Sequence, residues 1–291
     1  MRRLRLPIQP VAIGALVALP LACAEEPASP SASAYVSRAR TVLAADPPDR
    51  PAAREALLVA LEQEPDNAAA WCLLGSNTHA QGRDPEAAVA ELRRCCELRP
   101  DDAERHVELG QALVRTGDLR SARDALARAV ELAPQRAEAH AGLGQVAEQL
   151  KEPGAALGHY AGALQLEPTD AATHFRRGNL ARSQGDDAAA ESHLEAHRLL
   201  LARDRAWRGG APPEERAAIL SELLARLPRA LAVRTELADL MQAQGRFAAA
   251  AELWGGALEL HGPNPDYEMW RALMLVEAGD LDAAGQALDV L

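Results

Sequence analysis

Residues 102–134 read DAERHVELGQALVRTGDLRSARDALARAVELAP, and residues 136–168 read RAEAHAGLGQVAEQLKEPGAALGHYAGALQLEP. Laid one over the other, they place His106 on His140, Gly110 on Gly144, Ala122 on Ala156 and Pro134 on Pro168, each pair 34 residues apart. His174, Gly178 and Ala190 repeat the step once more, so one pattern governs residues 101–202. A period of this length means a stack of supersecondary units, none able to bury its apolar face alone.

Upstream the pattern continues with Trp71-x-x-Leu74-Gly75, Ala88-x-x-x-Leu92 and Pro100. Next come Leu109-Gly110, Ala122, Leu126, Ala129 and Pro134, followed by Leu143-Gly144, Ala156, Tyr160, Ala163 and Pro168, and then by Gly178, Ala190 and Leu194. These residues resemble the tetratricopeptide repeat, a helix-turn-helix unit of about 34 residues. In that reading Gly and Ala stand where paired helices touch, Leu and Tyr fill the gaps, and Pro ends the second helix. The resemblance implies an all-α, right-handed α-solenoid whose first helices line a concave groove for peptides or partner segments.

Turn residues set the phase. Gly82 to Gly117 is 35 residues, with the extra one near Asp84-Pro85, and Gly117 to Lys151 to Gly185 is 34 and 34. Lys151 stands where a left-handed turn wants glycine. Gly185 to Gly245 is 60, so an irregular insert is expected at 203–228, around Trp207-Arg208-Gly209-Gly210-Ala211-Pro212-Pro213 and a helical run from Glu214 to Arg226. The period then resumes, Gly245 to Gly279 being 34 again. The expected organisation is four units over 67–202, one full and one terminal unit over 229–291, and a degenerate capping hairpin over 35–66. The last helix would carry Leu281, Leu288 and Leu291 uncovered, a surface suited to self-association.

Composition agrees. The chain is 291 residues long and 48% hydrophobic with only nine aromatics, so a core must be built from Ala and Leu, which suits closely packed helices. At the N-terminus Arg2, Arg3 and Arg5 precede the apolar run Val11 to Ala22, which reads as an export signal over 1–24 and is too short to span a membrane. Leu21-Ala22-Cys23 resembles a bacterial lipoprotein signal with Cys23 as the lipidated residue, while Ala22-Cys23-Ala24 offers an ordinary cleavage site. A Pro/Ser/Ala tether follows over 25–34. Loss of residues 1–22 removes three arginines and no acids, taking the net charge from -11 to -14. With Lys151 the only lysine and no basic stripe, nucleic acid is not an expected partner. Cys72, Cys95 and Cys96 are expected as buried thiols, the alternative being one disulfide from Cys72 to Cys95 or Cys96.

Gln111, Gln145 and Asn179 each follow a core Gly by one residue, and the resemblance projects them into the groove. There an amide, donor and acceptor at once, can hold an extended peptide backbone. Arg115 and Arg182 would add recognition of carboxylates. Some members of the family clamp a partner's terminal carboxylate with lysines, which this chain lacks. His106, His140 and His174 fall where the signature carries an aromatic and are read as packing residues. A separate candidate is a metal set: His193 and His197 are four apart on one helix face, and His159 lies one repeat before His193. Signatures for phosphate cradling, a nucleophile turn, a dinucleotide fold or haem attachment are absent from the sequence, which favours binding over catalysis, with no cofactor. The expected function is a protein-binding scaffold for assembly of a bacterial envelope complex, in the periplasm or anchored to the outer membrane. The alternatives are a metal-delivery protein and a self-associating structural module.

Overall fold

The computed structural model describes residues 30–289. The export signal, Cys23, most of the tether and Leu291 lie outside them. The described residues form fifteen helices and no strand. In hairpin pairs these are α1 (Ala32–Leu43) with α2 (Arg50–Gln63), α3 (Ala68–Gln81) with α4 (Pro85–Leu98), and α5 (Ala103–Thr116) with α6 (Leu119–Leu132). Then come α7 (Ala137–Gln149) with α8 (Pro153–Leu166), and α9 (Ala171–Ser183) with α10 (Asp187–Arg208). A single α11 (Pro213–Arg226) precedes α12 (Leu231–Ala243) with α13 (Phe247–His261), and α14 (Pro265–Glu277) with α15 (Leu281–Leu288). Each helix packs on its sequence neighbours, giving a right-handed α-solenoid.

Local chemistry starts and stops the helices where the sequence says it should. Asp49, Asp84, Asp102, Asp118, Asp170, Asp186 and Asp280 each accept a hydrogen bond from a backbone N–H of the first turn that follows. Gly117, Gly185 and Gly245 turn the chain at φ 81°, 79° and 72°, and Lys151 adopts the same left-handed conformation at φ 61°. Within each hairpin a small residue of the first helix faces a large one of the second. A Cβ on Gly110 would lie 2.5 Å from Leu126 Cγ, and one on Gly144 would lie 2.5 Å from Tyr160 Cδ1. Those two glycines are therefore contact points where no side chain fits. In α12 the position is held by Ala238, facing Trp254.

The in-register histidines have a specific role. The Nε2–H of His106, His140 and His174 donates to the carbonyl of Pro100, Pro134 and Pro168 respectively, each at 3.0 Å. Trp71 Nε1–H donates to Pro65 O at 2.7 Å and an Arg234 N–H donates to Pro228 O at 2.9 Å, in the same six-residue relation. Each of these five first helices, α3, α5, α7, α9 and α12, is thus tied to the end of the helix before it, through a carbonyl that the helix terminus leaves unpaired.

Three expectations are corrected. Cys72 and Cys95 form a disulfide joining α3 to α4, with Cα atoms 4.8 Å apart, and Cys96 alone remains a buried thiol. The small residues at the hairpin contact bring the helices close enough for the bond. Burial, then Asp102 and Glu108, pushes the Cys96 pKa up to about 12, so this thiol is inert at neutral pH. The tether ends sooner than expected, since Ser31 caps α1 and the helix begins at Ala32. Finally, 203–228 is not irregular. α10 runs on for 22 residues to Arg208, because nothing between Arg198 and Arg208 breaks a helix, and only Gly209-Gly210-Ala211-Pro212-Pro213 ends it. α11 then packs on both α10 and α12, with Leu220 and Leu223 fully buried. Leu220 stands eight residues before Pro228, as Leu126 stands before Pro134. The stretch is a repeat whose first helix is fused to the second helix of the preceding unit. In the place of Ala122 and Ala156, four residues before the large residue, it has Arg216, whose guanidinium lies 5.0 Å from the Trp207 ring centre.

Candidate peptide-binding groove

Three successive first helices, α5, α7 and α9, line a cleft of about 380 Å³. Of the residues expected in the groove, Gln111, Arg115 and Gln145 border it; the other border residues include Glu138, Asp170, Thr173 and Arg176. Asn179 and Arg182 lie further along α9 and do not border this cleft, although Arg182 is exposed.

The cleft residues differ in how free they are. His79 of α3, itself buried, holds two of them: its Nε2–H donates to Gln111 Oε1 at 3.2 Å, and an Arg115 guanidinium N–H donates to the His79 carbonyl at 3.0 Å. Burial and then the Arg115 charge lower the His79 pKa, which keeps the ring neutral. Asp170 is committed to the start of α9, and Glu138 lies 3.7 Å from Arg136. Gln145 makes no hydrogen bond among the described residues, and Arg176 lies 3.9 Å from Glu148 and beside the Tyr160 hydroxyl. Glu148 in turn accepts from Tyr160 OH at 2.6 Å, so the large core residue of that unit anchors the acid beside Arg176. The groups of the cleft with bonding capacity left are therefore the Gln145 amide, the outer edges of the Arg115 and Arg176 guanidinium groups and the exposed Glu138 carboxylate.

Arg176 is not among the groove residues expected from the sequence, which follow each core Gly (Gln111, Gln145, Asn179) or lie later on the same helix (Arg115, Arg182). The signal was present, since Arg176 precedes Asn179 by three and shares its helix face. The amide series also ends before the last unit, where Leu273 follows Ala272 in the place of Gln111 and Gln145 and is 43% exposed.

The histidines of the candidate metal set do not converge. Neutral His174 uses its Nε2–H on Pro168 O, so its Nδ1 accepts, and His193 Nδ1–H donates to it at 3.0 Å. His197 turns its Nδ1–H instead to the Ala171 carbonyl at 2.9 Å. Burial lowers the His159 pKa, with His140 and Arg123 beside it. Among the described residues no group of three His, Cys, Asp or Glu side chains is placed to hold a metal.

With this geometry in view, comparison with known proteins places the chain. Residues 54–174 match the cytochrome c-type biogenesis protein H TPR domain, and residues 235–291 match a tetratricopeptide repeat model. The human PEX5-related protein is 37% identical over 67 residues, 23% of this chain and 10% of that protein, so the chain spans about a tenth of that relative's length. Among solved structures, MamA 41-end from Desulfovibrio magneticus RS-1 superposes with a TM-score of 0.53 at 20% identity, covering 59% of this chain and 95% of that one. A second crystal structure of MamA gives 0.51 at 22% identity over 58% and 95%. At such identities the likeness is one of fold. The chain belongs to the tetratricopeptide repeat proteins and is a protein-interaction scaffold of that type.

Proposed function

We propose that the cleft between α5, α7 and α9 holds an extended segment of a partner protein, and that this binding serves the assembly of a complex in a bacterial envelope. The observation that carries the reading is the set Gln145, Arg115 and Arg176, each with donors left over, lining one cleft from three successive helices. Such donors suit backbone carbonyls and acidic side chains, and their spacing along the solenoid suits an extended chain. The envelope setting is supported by the export-type N-terminus, by the match to a domain named for a cytochrome c-type biogenesis protein, and by a disulfide of the kind that persists in oxidising compartments. The experiment is photo-crosslinking in the host from residue 145, with Asp124 on the exposed face of α6 as control, read by mass spectrometry. A partner captured only from 145 supports the reading. Equal capture from both positions, or none from 145, overturns it.

A further inference from the structure

Tyr160 of α8 is fully buried in the place that Leu92, Leu126, Leu194 and Leu220 hold in other units. Leucine fills that space without help, so what Tyr160 adds is a hydroxyl, and a buried hydroxyl needs a partner. It donates to Glu148 Oε2 of α7 at 2.6 Å. Burial and then this bond raise the Tyr160 pKa, so the group stays a donor at neutral pH. Arg176, from the first helix of the next unit, completes the set. Its guanidinium lies 3.9 Å from the same Glu148 oxygen and beside the Tyr160 hydroxyl.

The repeat pattern does not supply these groups. One period earlier the same three places hold Leu126, Val114 and Gly142, and that junction is apolar: a Cβ on Gly142 would lie 2.7 Å from the Leu126 side chain. At the junction of α7, α8 and α9 all three places change together, to Tyr160, Glu148 and Arg176, and the new side chains meet. Only Arg176 of the three borders the cleft. Glu148 is partly exposed and has no bond to the cleft residues, so the contacts it makes serve Arg176 and the core beneath it. An arginine whose rotamer is set from below before a ligand arrives loses less freedom when the ligand takes its outer edge.

We propose, on the reading of this cleft as a site for an extended segment, that Tyr160 is its positioning residue: the hydroxyl fixes Glu148, and Glu148 fixes Arg176 with the outer guanidinium edge toward the bound segment. The first test needs no ligand. In the full chain, NMR relaxation of the arginine Nε–Hε groups should show Arg176 more ordered than exposed Arg182. Tyr160→Phe keeps the ring in the core and should leave the helical circular dichroism unchanged. It should lower the order of Arg176 to that of Arg182 and leave Arg115, held by the His79 carbonyl, as it was. In the host, photo-crosslinking from residue 145 should then capture about threefold less partner, or lower still, in Tyr160→Phe. Adding Tyr160→Phe to Arg176→Ala should lower capture no further than Arg176→Ala does alone. An Arg176 as mobile as Arg182 in the parent, or one that Tyr160→Phe does not loosen, would overturn the proposal. So would capture that Arg176→Ala weakens and Tyr160→Phe does not. No capture from the parent would overturn the reading of the cleft, whereas the relaxation contrast decides the positioning of Arg176 in either case.

Discussion

The hairpins α3/α4 and α9/α10 use the same two positions differently. In the first, Cys72 and Cys95 are covalently bonded. In the second those places are held by Phe175 and His197, whose ring centres lie 5.1 Å apart, beside the hydrogen-bonded pair His174 and His193. The repeat dictates where its two helices meet and leaves open what joins them. One hairpin is locked by a bond, and the other is joined by groups that respond to protons.

The largest effect should come from the bond. Replacing both Cys72 and Cys95 by Ala, which opens a link across 23 residues, should cost about 3 kcal/mol in urea denaturation. His197→Ala at the equivalent position should cost only about 1 kcal/mol. Equal losses would mean that the site matters more than the chemistry filling it.

Next in size is a pH effect confined to the second hairpin. Burial, with Arg177 and His174 beside it, lowers the His193 pKa from 6.5 to about 4. The unfolded chain therefore takes up a proton that the folded chain refuses. Stability should be full above about pH 6.5 and fall by roughly 2 kcal/mol as pH drops toward 4. Denaturation midpoints of His193→Asn should be flatter across that window than those of the parent. Parallel curves would show that this histidine is not responsible.

A smaller contrast concerns the helix contact itself. A Cβ on Gly75 would lie 2.8 Å from the Leu92 side chain and 3.0 Å from its backbone N, and Leu92 is fully buried. One on Gly178 would also lie 2.8 Å from its partner, Leu194, but Leu194 is only partly buried and the nearest backbone atom, Ala190 O, is further off at 3.3 Å. Gly75→Ala should cost about 1–2 kcal/mol, and Gly178→Ala less than about 1 kcal/mol. The smallest effect is a gain: Lys151→Gly, in the turn between α7 and α8, should add about 0.5–1 kcal/mol in thermal denaturation by removing a left-handed non-glycine residue.

Much of the scaffold was legible because steric demands leave marks on residue type. Gly110 beneath Leu126, Asp at helix starts and Gly at left-handed turns are needs that few side chains meet, so they recur at the period and reveal it. Lys151 was recognisable as a turn residue only because its neighbours fixed the step. The groove was less legible. Arg176 borders the cleft and Asn179 does not because of how successive first helices are offset, a property of the stack rather than of any one unit. The hold of His79 on Gln111 and Arg115 spans two units and has no counterpart in the repeat pattern. The disulfide was one of several thiol arrangements the sequence allowed, and it emerged once the separation of α3 and α4 was known. The fused helix was misread because the period was expected to restart at a turn, whereas the run from Arg198 to Arg208 simply contains no residue that ends a helix.

That fused helix has a mechanical consequence. Elsewhere a turn of a few residues separates consecutive helices and can act as a hinge, so strain at one unit need not reach the next. α10, at 22 residues about 33 Å long, is a single beam shared by the units on either side of the junction. A force or torque applied to the first subarray is delivered to the second through a rod instead of a joint, so the two halves of the solenoid bend as one piece where the sequence pattern suggests a seam.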